Sequence, residues 1–168
     1  MLVSPSCSRR HNAGFTLIEL VTAITVMAIL ATLATPSFQV FVANQRIRNA
    51  SFDLMATLSH VRSQALTQNA NINLVRGGAT WAAGWRVTDG TSMLPTDGTT
   101  FQMQEAYKNL VITDSSSLGM ITYGRDGRAV TTSTKFTIAP SVALSGVTSR
   151  CVSLGLSGVP SSRTGPCT

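Results

Sequence analysis

One carboxylate, Glu19, interrupts an otherwise uncharged stretch of twenty residues, FTLIELVTAITVMAILATLA at 15–34. A helix of that length spans roughly 30 Å, the thickness of a bilayer's hydrocarbon core. An ionised acid in such a setting costs several kcal/mol near the midplane and less toward the interface. Its presence makes chemical sense where a cation meets it. Cleavage after Gly14 would create that cation, a free α-amino group at Phe15, one helical turn from Glu19. Arg9 and Arg10 lie just upstream and hold that end of an apolar segment on the cytoplasmic side.

Little else in the chain could do covalent chemistry. There are two histidines: His11 precedes the apolar run, and His60 falls at a helical position between Leu58 and Val61. No G-x-S-x-G, H-E-x-x-H or C-x-x-C occurs, and the aspartates are scattered singly through turn-like segments. The residues therefore predict no catalytic group, no metal site and no cofactor. An anchored periplasmic hydrolase is the competing class, and it lacks a nucleophile–base pair. Cys7 falls in the leader, so Cys151 and Cys167 remain as an even pair. A bond between them would stabilise by about 3 kcal/mol on chain-entropy grounds and requires an oxidising compartment.

Charge is sparse, at 12% of residues, and mean hydropathy is +0.21. Removing Arg9 and Arg10 with the leader lowers the formal charge from +6 to +4. The distal part stays basic: Arg125, Arg128, Lys135, Arg150 and Arg163 face only Asp126 beyond residue 115. Such an excess suits phosphates or anionic lipid, and equally suits simple solubility.

These groups need elements to position them. Past Pro36 the apolar residues Ile47, Leu54, Leu58, Val61 and Ala65 are spaced 7, 4, 3 and 4, one face of an α-helix. One helix is expected from residue 15 to about 68, uniformly apolar first and amphipathic afterwards. Ala28, Ala31 and Ala34 place small side chains along one stripe. Thr22, Thr25, Thr32 and Thr35 can return hydroxyl bonds to the preceding turn. Pro36 is expected to bend or open the helix. The remainder reads as β-structure. Segments 72–76 and 81–87 flank Gly77-Gly78 as a hairpin, with Trp81 and Trp85 on one strand face packing into a core or against a partner. Further strands are expected at 101–107, 110–113, 120–123, 135–139 and 151–156. Asp89-Gly90, 95–98 and 125–128 read as turns around them.

Gly14-Phe15-Thr16-Leu17-Ile18-Glu19-Leu20 resembles the class III signal of type IV prepilins and type II secretion pseudopilins. The resemblance implies that a prepilin peptidase cuts between Gly14 and Phe15 and methylates Phe15. It implies that Glu19 pairs with a neighbouring subunit's N-terminus during assembly. Val61-Arg62-Ser63-Gln64-Ala65 with Asn69, then Trp81-x-x-Gly84-Trp85, then Tyr123-Gly124-Arg125-Asp126-Gly127, is similar to the GspH/FimT family of pseudopilins and minor pilins. Some of that family binds DNA through a C-terminal Gly-Arg-x-Arg. The corresponding stretch here, residues 157–163, keeps only Arg163, so Arg125, Arg128 and Arg150 would have to supply the other phosphate contacts.

The expected fold class is α+β, a long N-terminal helix packed on an antiparallel β-sheet domain. Four segments follow: a cleaved leader at 1–14, a membrane-spanning assembly helix at 15–36, its amphipathic continuation at 37–69, and a sheet domain at 70–168. The expected function is a minor pilin or pseudopilin at or near a filament tip; a DNA-binding minor pilin for natural transformation is the alternative. The implied partners are the prepilin peptidase, other pilins or pseudopilins, the inner-membrane assembly platform and the inner membrane itself. The globular part would face the periplasm.

Overall fold

The structure, a computed structural model, describes residues 15–91, 94 and 97–168, without the side chains at 33, 34 and 36. The leader residues Arg9, Arg10, His11 and Gly14 lie outside the described residues, as do the expectations placed on the side chains of Ala34 and Pro36. Helix α1, Leu17–Gln68, runs through two compact units divided between Phe38 and Gln39.

In the first unit α1 begins at a local cap. Thr16 Oγ1 accepts the backbone N–H of Glu19 at 3.3 Å, and the Thr16 carbonyl accepts that of Leu20 at 3.2 Å. Thr16 followed three residues later by Glu19 has the spacing of a capping box, and an acid in the first turn suits the helix dipole. The hydroxyls of Thr22, Thr25, Thr32 and Thr35 donate to carbonyls three or four residues earlier, at 2.7–2.9 Å. These threonines thus satisfy their own polar atoms inside an apolar helix. The apolar side chains are turned outward: Leu17 is 81% exposed and Met27 71%. By length and apolarity no single straight helix suffices to cross a membrane among the described residues; Leu17–Thr32 and Ser37–Gln68 meet the requirement together.

In the second unit α1 buries the predicted face. Ile47, Ala50, Leu54, Leu58, Val61 and Ala65 are all at most 1% exposed. The helix stops where Asn69 turns left-handed, φ 50°, and the N–H of Ala70 reaches back to the carbonyl of Ala65.

Eight strands follow: β1 Ile72–Arg76, β2 Trp85–Thr88, β3 Thr100–Gln104, β4 Leu110–Asp114, β5 Met120–Tyr123, β6 Thr134–Pro140, β7 Arg150–Leu154 and β8 Pro160–Thr164. They form two antiparallel sheets of four, ordered β3-β2-β1-β5 and β4-β6-β7-β8. The fold is α+β, and the β-structure is divided where one sheet was expected. A single core joins α1 to Ile72, Leu74 and Ile121 of the first sheet and to Phe136, Ile138 and Val152 of the second.

The tryptophan segment departs from the expected strand 81–87. Trp81–Ala83 is a short 3-10 turn, and the strand starts only at Trp85. Gly84, φ 90°, makes the reversal; a Cβ there would run into the carbonyl oxygen of Gln104. Strands β1 and β2 still pair as predicted, Arg76 opposite Trp85, but through this longer connection. The two indoles therefore enter the core from different backbone geometries, not from one strand face. Trp81 donates to the carbonyl of Leu118 at 3.0 Å and meets Phe136 edge-on, ring centres 5.2 Å apart. Trp85 donates to Thr57 Oγ1 on α1 at 3.2 Å. Strand β8 was not expected at all: Pro-Ser-Ser-Arg-Thr has no apolar alternation, and it is held as an edge by pairing with β7.

Candidate functional site

Glu19 stands in the first turn of α1 with Leu17, Ile18 and Leu20 around it, all exposed. It is the one charged residue between Phe15 and Gln45 in the sequence. Its backbone serves the cap described above. Phe15, 78% exposed, precedes the helix by two residues, so the backbone nitrogen that cleavage would free lies beside this turn.

The cysteines are joined. Cys151 on β7 and Cys167 in the C-terminal tail form a disulfide with Cα atoms 5.0 Å apart. The tail is also held by backbone bonds, Gly165 N–H to the Ser149 carbonyl at 2.8 Å, and by Cys167 N–H to Thr137 Oγ1 at 3.3 Å. It covers the outer face of the second sheet and leaves Cys151 fully buried.

The four arginines fall in three places. Arg125 and Arg128 occupy the turn after β5, both exposed. In that turn Gly124 donates to the carbonyl of Arg128, Gly127 to that of Gly124, and Asp126 Oδ1 accepts the N–H of Arg128. A Cβ at Gly127 would press on Leu66, which sets this turn beside the last turns of α1. Arg150 on β7 lies near Asn44 and Arg48 of α1, and Arg48 is eighteen residues before Leu66, about 27 Å at 1.5 Å per residue. Arg163 is opposite Cys151 in the β7–β8 register, whereas Arg150 is opposite Thr164. Because side chains alternate along a strand, Arg150 and Arg163 project from opposite faces. Arg163 joins the disulfide side, where Nη2 donates to Thr168 Oγ1 at 2.6 Å.

The motif Tyr123-Gly124-Arg125-Asp126-Gly127 does structural work. The buried Tyr123 phenol donates to the Gly158 carbonyl at 3.1 Å, and burial pushes its pKa up against a smaller opposing pull from Arg62. The turn and the 155–158 loop are so closely fitted that a Cβ on Gly158 would strike the carbonyl oxygen of Gly127. His60 is half-buried on α1. No group of three or more His, Cys, Asp or Glu is arranged to hold a metal among the described residues.

Comparison with known proteins gives two family matches. Residues 50–158 match the family described as type II transport protein GspH, and residues 9–35 match the prokaryotic N-terminal methylation motif. Among solved structures the chain is similar to the type IV minor pilin FimU of Pseudomonas aeruginosa strain PAO1, in two crystal forms. In space group P65 the identity is 20%, the TM-score 0.57, and the match covers 69% of this chain and 91% of FimU. In P21 the figures are 19%, 0.57, 76% and 92%. At those identities the likeness is one of fold. No curated protein matches the chain. The GspH match takes in more than half of the chain, all of the amphipathic helix face from Ala50 onward and both sheets through Gly158, so the chain belongs to the GspH family and is a pilin-like protein of the minor pilin or pseudopilin kind.

Proposed function

We propose that the chain is made as a membrane-anchored precursor, cut by a prepilin peptidase between Gly14 and Phe15, methylated at Phe15, and assembled at or near the tip of a type II secretion pseudopilus or type IV pilus. The observation that carries this is Glu19: one exposed acid in the first turn of a helix whose described apolar side chains from Leu17 to Leu30 are turned outward. Such a surface is unstable in water and is covered either by lipid or by the equivalent helices of other subunits. The α-amino group of a neighbouring subunit gives the acid a partner that lipid lacks. Before assembly the first half of α1 lies in the bacterial inner membrane, with the sheet domain in the periplasm, where the disulfide is stable. The protein acts by assembly and not by catalysis.

Duplex DNA is not favoured as a ligand. Affinity for a phosphate backbone grows with the number of simultaneous cationic contacts. Arg150 and Arg163 project from opposite faces of the β7–β8 pair, so the four arginines do not all meet one duplex face.

N-terminal peptide mass analysis of membrane fractions tests the processing step. A mature chain beginning at methylated Phe15 is expected. A start near Thr35 would instead mark an ordinary secretory signal and remove the assembly helix from the mature protein.

A further inference from the structure

Between the early part of the amphipathic helix and the β7–β8 pair lies a cavity of about 290 Å³, lined by Asn44, Arg48, Thr148, Arg150 and Thr164. All five are polar, two are cationic and none is acidic. The wall is fixed by a reciprocal clamp: Asn44 Nδ2 donates to the carbonyl of Gly146 at 3.1 Å, and Asn44 Oδ1 accepts the N–H of Thr148 at 3.0 Å. Arg150 is held from the other side, Nη2 to Ser162 Oγ at 3.3 Å, and its register partner Thr164 lies directly across the strand pair. The Nε of Arg150 is buried and has no acceptor. A buried N–H without an acceptor is costly, and two guanidinium groups sharing a cavity without a counter-charge repel. An oxyanion in the cavity supplies the missing counter-charge and draws on the outer N–H groups of the two guanidinium forks.

We propose that Arg48 and Arg150, with the hydroxyls of Thr148 and Thr164, form a binding pocket for a phosphate-class oxyanion. The planar fork of arginine matches tetrahedral oxyanions through paired N–H donors, and the threonine hydroxyls can each donate one further bond. The volume equals about ten waters, enough for a phosphate group that keeps part of its hydration. Two sources share this chemistry: free phosphate and the headgroup phosphate of a membrane lipid. Arg46 and Arg48 are the first charged residues after Glu19, at the end of the uncharged run. Basic residues in such a position are drawn to anionic headgroups. Only the lipid source rests on the membrane anchoring proposed above; the pocket itself does not.

The test uses the full chain in an uncharged detergent, with ¹⁵N-labelled arginine side chains followed by NMR. Orthophosphate titrated at constant ionic strength against chloride should move the Arg150 Nε resonance and saturate. Arg48→Gln should weaken that binding about tenfold, the loss of one charge-assisted contact, with an unchanged melting temperature because Arg48 is exposed. Arg150→Lys, which keeps the charge and loses the fork, should weaken it as well. In nanodiscs containing phosphatidylglycerol, loss of the orthophosphate response assigns the pocket to a lipid headgroup, and an intact response assigns it to free phosphate. A shift that never saturates, or equal affinity in Arg48→Gln, overturns the proposal. So does a short DNA duplex that moves the Arg150 resonance at phosphate concentrations far below those of orthophosphate, since it would make the site part of a nucleic-acid surface.

Discussion

The phenol of Tyr107 donates a 2.8 Å hydrogen bond to Asp53 Oδ2, joining the segment after β3 to a helix residue 54 positions earlier in the chain. Tyr107 also lies against Trp85, ring centres 5.6 Å apart, and Trp85 in turn reaches Thr57, whose hydroxyl donates to the carbonyl of Asp53. One turn of α1 thereby receives two aromatic side chains, one from β2 and one from the segment after β3. Burial, then the hydrogen bond to Asp53 and its charge, raise the Tyr107 pKa well above the ordinary phenol value. A raised folded-state value means that the neutral phenol is favoured by folding. Its contribution is fully present below the unfolded value of about 10 and is lost as pH rises beyond it. Thermal melts in detergent should show falling stability above about pH 10, with a shallower fall in Tyr107→Phe. At neutral pH that variant should lose about 1.5–3 kcal/mol, the range for a hydrogen bond to a charged acceptor. An identical alkaline slope in variant and parent would remove Tyr107 from the account.

The cap at the start of α1 uses the backbone N–H of Glu19, so Glu19→Gln and Glu19→Ala both keep that donor while removing the charge. Both variants should be processed at Gly14-Phe15 normally, and both should be depleted in sheared filaments. Full recovery of Glu19→Gln, which keeps the side chain's shape and loses its charge, would remove the charge from the account.

Gly158→Ala should destabilise the domain by several kcal/mol. The residue has φ 75°, and the added Cβ meets the backbone oxygen of Gly127, which cannot swing aside as a side chain would. Ala at Gly165, also at positive φ but with nothing within 4 Å, should cost about 1 kcal/mol from conformation alone. Chemical denaturation of the two variants gives the comparison; equal losses would show that the Gly127 contact relaxes freely.

Replacing both Cys151 and Cys167 with Ser should cost about 3 kcal/mol and release the tail from the second sheet. Limited proteolysis should then cut near residues 165–168 in the variant and not in the oxidised parent. Reduction of the parent should reproduce the same cut.

The helix and most strands were legible because their signals are local. The spacing of Ile47, Leu54, Leu58, Val61 and Ala65 named the buried face, and Asn69 marked the stop. The four threonine back-bonds followed from residue type alone. What escaped depended on distant partners. Trp81 looked like a strand residue by composition, but Gly84 and its fit against Gln104 decide a 3-10 turn. Strand β8 carries no apolar pattern because it is an edge held by β7, and no periodicity announces an edge of that kind. The cap at Thr16 is written in Thr-x-x-Glu, where Glu19 carries two signals at once, the cap spacing and the lone charge of an apolar run. The pocket at Arg48 and Arg150 joins residues 102 apart, and only the pairing of β7 with β8 beside the helix creates it.

The alternation along β7 and β8 separates two design problems within ten residues. Arg150, Val152, Ser162 and Thr164 belong to the seam with α1, where Ser162 meets Ser51 at 3.0 Å. Cys151, Ser153, Ser161 and Arg163 belong to the face that the domain presents outward and the tail partly roofs. Exchanging Ser161 or Arg163, the exposed members of the second set, rewrites what neighbours encounter while the helix seam keeps its register. A change of surface at those two positions therefore needs no movement of the backbone that supports it.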